Sequence, residues 1–458
     1  MPGNGAVTAP GIYLHSHKHF VTLFMTRNQM KFPSSKFLKS DFLKNVMTLF
    51  SATAVAQAIS LAIYPVLTRI YDPAEHGLFS LYLSTVSITG IIATGKYELG
   101  VLIPKEEKDG AGLTILGIRL SFFFSLFLLV FILLFRKYIP GWLGNEGIDK
   151  WLLFIPLSTF TVAIFQSLTF WFNRKRQYKT IAGGNLGQSI LNSAVKLSAS
   201  NILQNGGGLV VGAISGQVIG AILYLWRLGK QGIRQMTVIP VHTLKGLAKE
   251  YRYFPRYSLI HNLVSNFSTT LPIFVFSHYF PPETVGFFGF GYMLIHRPLN
   301  LLSGSISRVL SQQTIDKYNK GMLISGNIRK FTSRMALFAV APFLVVGLIA
   351  PWLVTFIFGD DWFEAGRYIQ IFTPWLYVVF LAAAINWIPD MLSRQRKAMN
   401  LELIKFGLRI VALSIGVITK NIYLALILFS AVSLLVMVYS LFWYLHLARA
   451  ADLKSTEK

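Results

Sequence analysis

Long apolar runs, separated by short polar breaks, fill almost the whole chain. Residues 120–135 read LSFFFSLFLLVFILLF and residues 338–358 read FAVAPFLVVGLIAPWLVTFIF. A bilayer core about 30 Å thick needs about 20 helical residues at 1.5 Å each. Lipid offers no partner to backbone N–H and C=O groups, so a spanning segment is a helix or part of a closed barrel. Barrel strands are about ten residues long and alternate in polarity. These runs do neither, and the pattern predicts twelve membrane helices at 45–67, 77–95, 112–135, 151–172, 181–202, 208–227, 257–279, 286–309, 332–358, 367–389, 400–419 and 421–446. The fold class expected is an all-α membrane protein.

The breaks carry turn and charge signals: YDPAEHG (71–77), NRKRQYK (173–179), QNGGG (204–208), FPPETVG (280–286), GDDWFEAG (359–366) and SRQRKAM (393–399). An even helix number places both termini on one side. Of the 43 Lys and Arg residues, 33 fall in or beside the termini and the loops on that side, 6 on the other and 4 within spans. The positive-inside rule then puts both termini in the cytoplasm. The same bias accounts for the net charge of +24 without nucleic acid, since no basic stripe with interleaved aromatics occurs.

Two blocks repeat. YDPAEHGLF (71–79) aligns with FPPETVGFF (280–288), matching Pro73 with Pro282, Gly77 with Gly286 and Phe79 with Phe288. Each block lies between the first and second helices of a set of six, so the repeat is parallel about an axis along the membrane normal. The expected organisation is an extension over 1–40, an N-lobe over 41–227, a basic amphipathic linker over 228–256 containing TLKGLAKEYRYF (243–254), a C-lobe over 257–446 and a tail over 447–458. Residues 1–40 lack the clean apolar run of a signal peptide, and the working start is expected nearer Met25 or Met30.

Composition narrows the chemistry. Hydrophobic residues make up 53% and charged ones 14%, far from the balance of a soluble domain. With no Cys, disulfides, thiolate metal sites and a Cys nucleophile are excluded. HExxH, GxSxG and Walker motifs are absent. His15, His17 and His19 alternate but have no nearby carboxylate, and Asp360–Asp361 reads as a solvated helix-end turn, so no metal is expected. The longest loop on the acidic side, 136–150, is short for a polymerase or ligase site. No filter-like repeat marks a channel.

Ionisable residues within spans point to function, because a charge at mid-bilayer costs on the order of 3 kcal/mol and is placed toward a cavity or partner. Arg297 sits about twelve residues into the eighth span, beside His296, and its planar fork suits phosphate or diphosphate. Arg409 is midway along the eleventh span. Lys196 is past the middle of the fifth, with Asn192 one turn earlier on the same face. Lys405 is near enough to the surface to snorkel. Lys96 and Glu98 end the second span and Arg119 begins the third, as interface residues and cavity-mouth candidates. Gln57 and Asn262 are expected to bond between helices. The cationic excess fits an anionic substrate, whereas an exporter of cationic drugs would carry carboxylates.

Residues 45–105, with GKYELGVLIPK, and 251–313, with YFPRYSL, LPIF and GFFGFGYML, resemble the polysaccharide-biosynthesis (Wzx-like) oligosaccharide flippases of the multidrug/oligosaccharidyl-lipid/polysaccharide exporter superfamily. The resemblance covers most of the chain from about residue 40. It implies two six-helix lobes around a central, often cationic cavity. It also implies translocation of an undecaprenyl-diphosphate-linked oligosaccharide between leaflets of a bacterial inner membrane, by a transporter and not an enzyme. Expected partners are that lipid-linked oligosaccharide, membrane lipid, a coupling cation and a polysaccharide polymerase; no cofactor and no nucleic acid are expected. The alternatives are a multidrug or small-solute exporter on the same fold and a membrane polymerase or ligase.

Overall fold

The computed structural model describes residues 51, 53–200, 202–203 and 205–456. The predicted extension 1–40, with His15, His17 and His19, lies outside the described residues. So does the start of the first predicted span.

Among the described residues the structure is helical, with no strand. The long helices are α1 Thr53–Ile70, α2 Pro73–Ala93, α3 Glu107–Phe135, α4 Phe154–Arg174, α5 Tyr178–Ser198, α6 Gly207–Thr237, α7 Leu259–Tyr279, α8 Pro282–Asn319, α9 Ser325–Phe358, α10 Phe363–Ala383, α11 Gln395–Ile418 and α12 Ile422–Thr456. Nine of the described helices are long and apolar enough to cross a membrane. The other three, α5, α8 and α11, are of similar length but more polar, and they carry all four in-span cations, Lys196, Arg297, Lys405 and Arg409.

The helices sort into two lobes around the six-helix repeat. α5 pairs with α6, α3 with α4, and α4 with α6 and α2; in the second half α9 pairs with α10, α11 with α12, and α10 with α8 and α12. The main contact between lobes is α2 against α8, with α2 also meeting α7. Many large apolar side chains on α3, α9 and α12, such as Leu134, Phe338 and Leu435, are exposed, as surfaces solvated by lipid tails require.

The blocks 71–77 and 280–286 are not the loops predicted. Helix α2 begins at Pro73, because Pro suits the first helical position and Asp72 forms a reciprocal capping box with Glu75. Helix α8 likewise begins at Pro282. Both helices therefore start about four residues before the apolar pattern does. At the other end α8 runs to Asn319 and α9 starts at Ser325, since long helices project beyond the apolar region that hydropathy detects.

Between the lobes, α6 kinks at Gly229, which has φ 70°. A ten-residue helix, Val241–Glu250, follows. It buries Leu244 and Leu247 against α3 and leaves Lys245 and Lys249 exposed. Tyr97 donates to its Ala248 carbonyl at 3.1 Å. A π-helical turn, Phe254–Ser258, leads into α7.

Candidate functional site

The α2–α8 crossing is the main contact between the lobes. A methyl group on Gly77 would lie 2.5 Å from the Pro282 carbonyl oxygen, and one on Gly286 would overlap the Pro73 carbonyl. Only glycine lets the two helices approach this closely. The repeated blocks thus pack on each other reciprocally, as a pseudo-two-fold pair. The lobes are tied once more near this crossing, where Trp362 donates Nε1–H to the Thr68 carbonyl at 3.2 Å; within the N-lobe, Gly206 N–H donates to Glu75 Oε1 at 2.5 Å.

Next to this crossing lies a cavity of about 180 Å³, lined by Tyr64 of α1, five residues of α2 from His76 to Ser84, Ile273 of α7 and five residues of α8 from Gly289 to Arg297. Both lobes therefore contribute walls. Arg297 is on the lining and half-buried, and its guanidinium acts on the Tyr64 hydroxyl. Lys196 is not on the lining but is buried beside it. Its ammonium lies 4.4 Å from the Phe79 ring centroid and 5.7 Å from that of Tyr64, and both rings line the cavity. Lys196 owes its place to the α5–α6 contact, where its stem lies over Gly212. No Asp or Glu is among the lining residues. The structure thus puts Arg297 of the C-lobe on the cavity wall and Lys196 of the N-lobe against two of the rings that form that wall.

Other sequence candidates are elsewhere. His296 stacks on Tyr292 at 4.5 Å and contacts Asn300 through Nδ1 at 3.1 Å. Asn192 packs against Gly216 of α6 with a buried Oδ1 lacking a partner. Lys96 and Glu98 are both buried and pair at 3.3 Å, in a turn where Lys96 is left-handed with φ 60°. They and the half-buried Arg119 are not on the cavity lining. Lys405 pairs with Glu402 at 2.7 Å. Gln57 is half-buried on α1, and Asn262 turns to its own helix, donating to the Ser258 carbonyl at 2.7 Å.

Arg409 is also off the cavity lining. It is fully buried among α7, α10, α11 and α12, between the rings of Trp375 and Phe429 at 5.1 and 4.4 Å. It donates to Ser433 Oγ at 2.8 Å, Ser268 Oγ at 2.9 Å and the Ser268 carbonyl at 3.1 Å. That carbonyl is four residues before Pro272, which has no N–H to return. Arg409 supplies the missing donor. Gln370 does the same for Pro351, donating to the Gly347 carbonyl at 2.9 Å. In both cases a neighbouring helix repairs the hydrogen bond a membrane proline removes.

Sequence reasoning missed His76, which it placed in a loop. The residue is fully buried on α2, lines the cavity and has an Nε2 with no hydrogen-bond partner. Its ring touches Tyr64 and Tyr71 of its own lobe and Phe290 and Trp362 of the other. The capping box would have revealed it, by placing His76 in the first turn of α2 on the face of Pro73 and Phe79.

Comparison with known proteins gives the following. The profile of the polysaccharide biosynthesis protein family matches residues 66–367. No curated protein sequence matches the chain significantly. The lipid II flippase MurJ, in an inward closed conformation, is similar in structure, with TM-score 0.67 at 12% identity, covering 88% of this chain and 90% of that one. An inward-facing multidrug resistance MATE family transporter of the MOP superfamily has TM-score 0.56 at 12% identity, covering 88% and 95%. A MOP superfamily transporter from Pyrococcus furiosus, described by the reverse polarity of its binding pocket, has TM-score 0.56 at 10% identity, covering 89% and 96%. At such identities the likeness shows the fold alone.

Proposed function

Because the chain belongs to the polysaccharide biosynthesis protein family, we propose that it is a flippase moving an undecaprenyl-diphosphate-linked oligosaccharide from the inner to the outer leaflet of the bacterial inner membrane. The observation that carries this reading is the cavity shared by the two lobes, with Arg297 on its wall, Lys196 against the Phe79 and Tyr64 rings of that wall, and no carboxylate on its lining. Desolvating a diphosphate is costly unless fixed cations replace its water. Two cations from opposite lobes meet that need, and a guanidinium grips phosphate oxygens as a fork.

In this reading the basic end faces the cytoplasm, so the α2–α8 crossing is the outer closure. A cavity of about 180 Å³ suits a diphosphate but is smaller than the roughly 300–1,000 Å³ of sites for larger ligands. The glycan therefore enters only when the lobes, residues 41–227 and 257–446, part at the inner end. The lipid tail stays in the bilayer, and residues 228–256 follow the motion. A coupling cation and a polysaccharide polymerase are further partners in this reading. The lining favours an anionic over a cationic cargo, which ranks the flippase above a multidrug exporter.

The test is genetic and chemical. Cells without the protein, and without a second flippase, should accumulate the lipid-linked intermediate on the inner leaflet and lose the surface polysaccharide built from it. Normal surface glycan with no accumulation would refute the proposal.

A further inference from the structure

Protein interiors rarely leave a polar nitrogen without a partner, and each exception calls for an explanation. His76 Nε2 is such an exception. The imidazole is fully buried and is held by rings on four sides, with centroid separations of 4.9 Å to Trp362, 5.8 Å to Phe290, 6.1 Å to Tyr64 and 6.5 Å to Tyr71. Packing alone does not require nitrogen here, because a phenyl ring would fill an aromatic box without leaving a polar atom unsatisfied. The box is also no sealed core, because His76 is on the cavity wall.

Tyr64 connects His76 to the two cations. Its ring is the neighbour of His76, lies 5.7 Å from the Lys196 ammonium, and carries the hydroxyl on which Arg297 acts. Tyr64 thus adjoins His76 and both cations, and His76 and Arg297 line the same cavity.

We propose that His76 is a third contact to the substrate headgroup, donating Nε2–H to a diphosphate oxygen held between Arg297 and Lys196. The inference rests on the diphosphate reading above and adds a positioning group that the two cations do not supply. The Lys196 ammonium is a point charge, and the Arg297 fork orients only the oxygens it grips. A single N–H fixed by four rings accepts only one placement of an oxygen, and so sets where the headgroup stops beneath the outer closure. Opening the α2–α8 crossing moves Phe290 and Trp362 away from His76 with the C-lobe. The contact would then be lost as the lobes exchange, which favours release.

The experiment uses the purified full chain in detergent and farnesyl diphosphate as probe, read by calorimetry. The wild type should bind it and Arg297→Ala should not. His76→Phe should fold and melt normally but bind about tenfold more weakly, the scale of one lost hydrogen bond to a charged group. His76→Gln, whose amide nitrogen reaches the Nε2 position, should bind nearly as well as the wild type. A packing role reverses this order, since Phe suits the aromatic box and Gln does not. Equal binding by wild type and His76→Phe overturns the proposal while leaving the flippase reading standing. No binding by the wild type sinks both. If His76→Phe fails to accumulate, His76→Gln is compared with His76→Asn, whose nitrogen reaches only the Nδ1 position, and equal binding by those two overturns the proposal.

Discussion

Gly77 and Gly286 face each other across the α2–α8 crossing, each lying on the carbonyl of the other helix's first proline. They occupy equivalent positions in the two halves of the chain. One pseudo-two-fold contact, made twice, thus joins the lobes. Its closeness depends on two absent Cβ atoms.

Substitution there should act on closure. Gly286→Ala forces a methyl group onto the Pro73 carbonyl, and overpacking of this kind costs about 1–3 kcal/mol. The melting temperature of the purified protein should fall, and transport should fall with it. Gly183→Ala is the control, since nothing lies within 4 Å of a Cβ at that position. Equal behaviour of the two variants would show that the crossing is not tightly packed.

The cavity cations should matter for cargo and little for folding. Arg297→Ala is expected to nearly abolish surface polysaccharide at normal membrane abundance, and Arg297→Lys to keep part of it, because lysine supplies charge without the fork. Lys196→Met should reduce transport while keeping the stem that packs over Gly212. Abundance has to be measured in the same cells. Full transport by Arg297→Ala would remove this residue from the substrate path.

Arg409 and Pro272 give a sharper test, because their roles are linked. Arg409→Leu leaves the Ser268 carbonyl without a donor, a loss of about 1–3 kcal/mol for a buried group. Pro272→Ala restores the N–H that this carbonyl lacks. The double variant should therefore be less destabilised than the sum of the single changes, as read by thermal unfolding. Strict additivity would mean that Arg409 does not serve the freed carbonyl.

Orientation can be checked by labelling, which the absence of native Cys makes simple. Gln177→Cys and Asp361→Cys place single thiols at exposed positions on opposite ends. An impermeant reagent applied to intact cells should label residue 361 and spare residue 177.

How far the sequence could be read follows from which signals are local. Helix number, fold class and the family were legible, because apolar length and loop motifs are properties of contiguous residues. The repeat at Pro73–Gly77 and Pro282–Gly286 was legible as an alignment but not as a contact. That Arg297 lines a cavity whose rings pack against Lys196 was hidden, because it depends on the rotation of α5 and α8. Arg409 was placed with the substrate-binding residues on its depth alone, whereas its partners include a carbonyl 141 residues away, freed by a proline. His76 was passed over because Pro, Asp, Glu and Gly around it resemble a loop, and only the Asp72–Glu75 capping box shows that α2 has already begun.

Arg409 has one more consequence. Its guanidinium is locked inside the C-lobe by three hydrogen bonds and two rings, so the charge travels wherever that lobe travels. Moving one elementary charge through a full 100 mV is worth about 2.3 kcal/mol. Any displacement of the C-lobe along the membrane normal is therefore work done with or against the resting voltage of the cell. A group that serves to mend a helix also fixes a charge in the C-lobe, on which the membrane voltage acts.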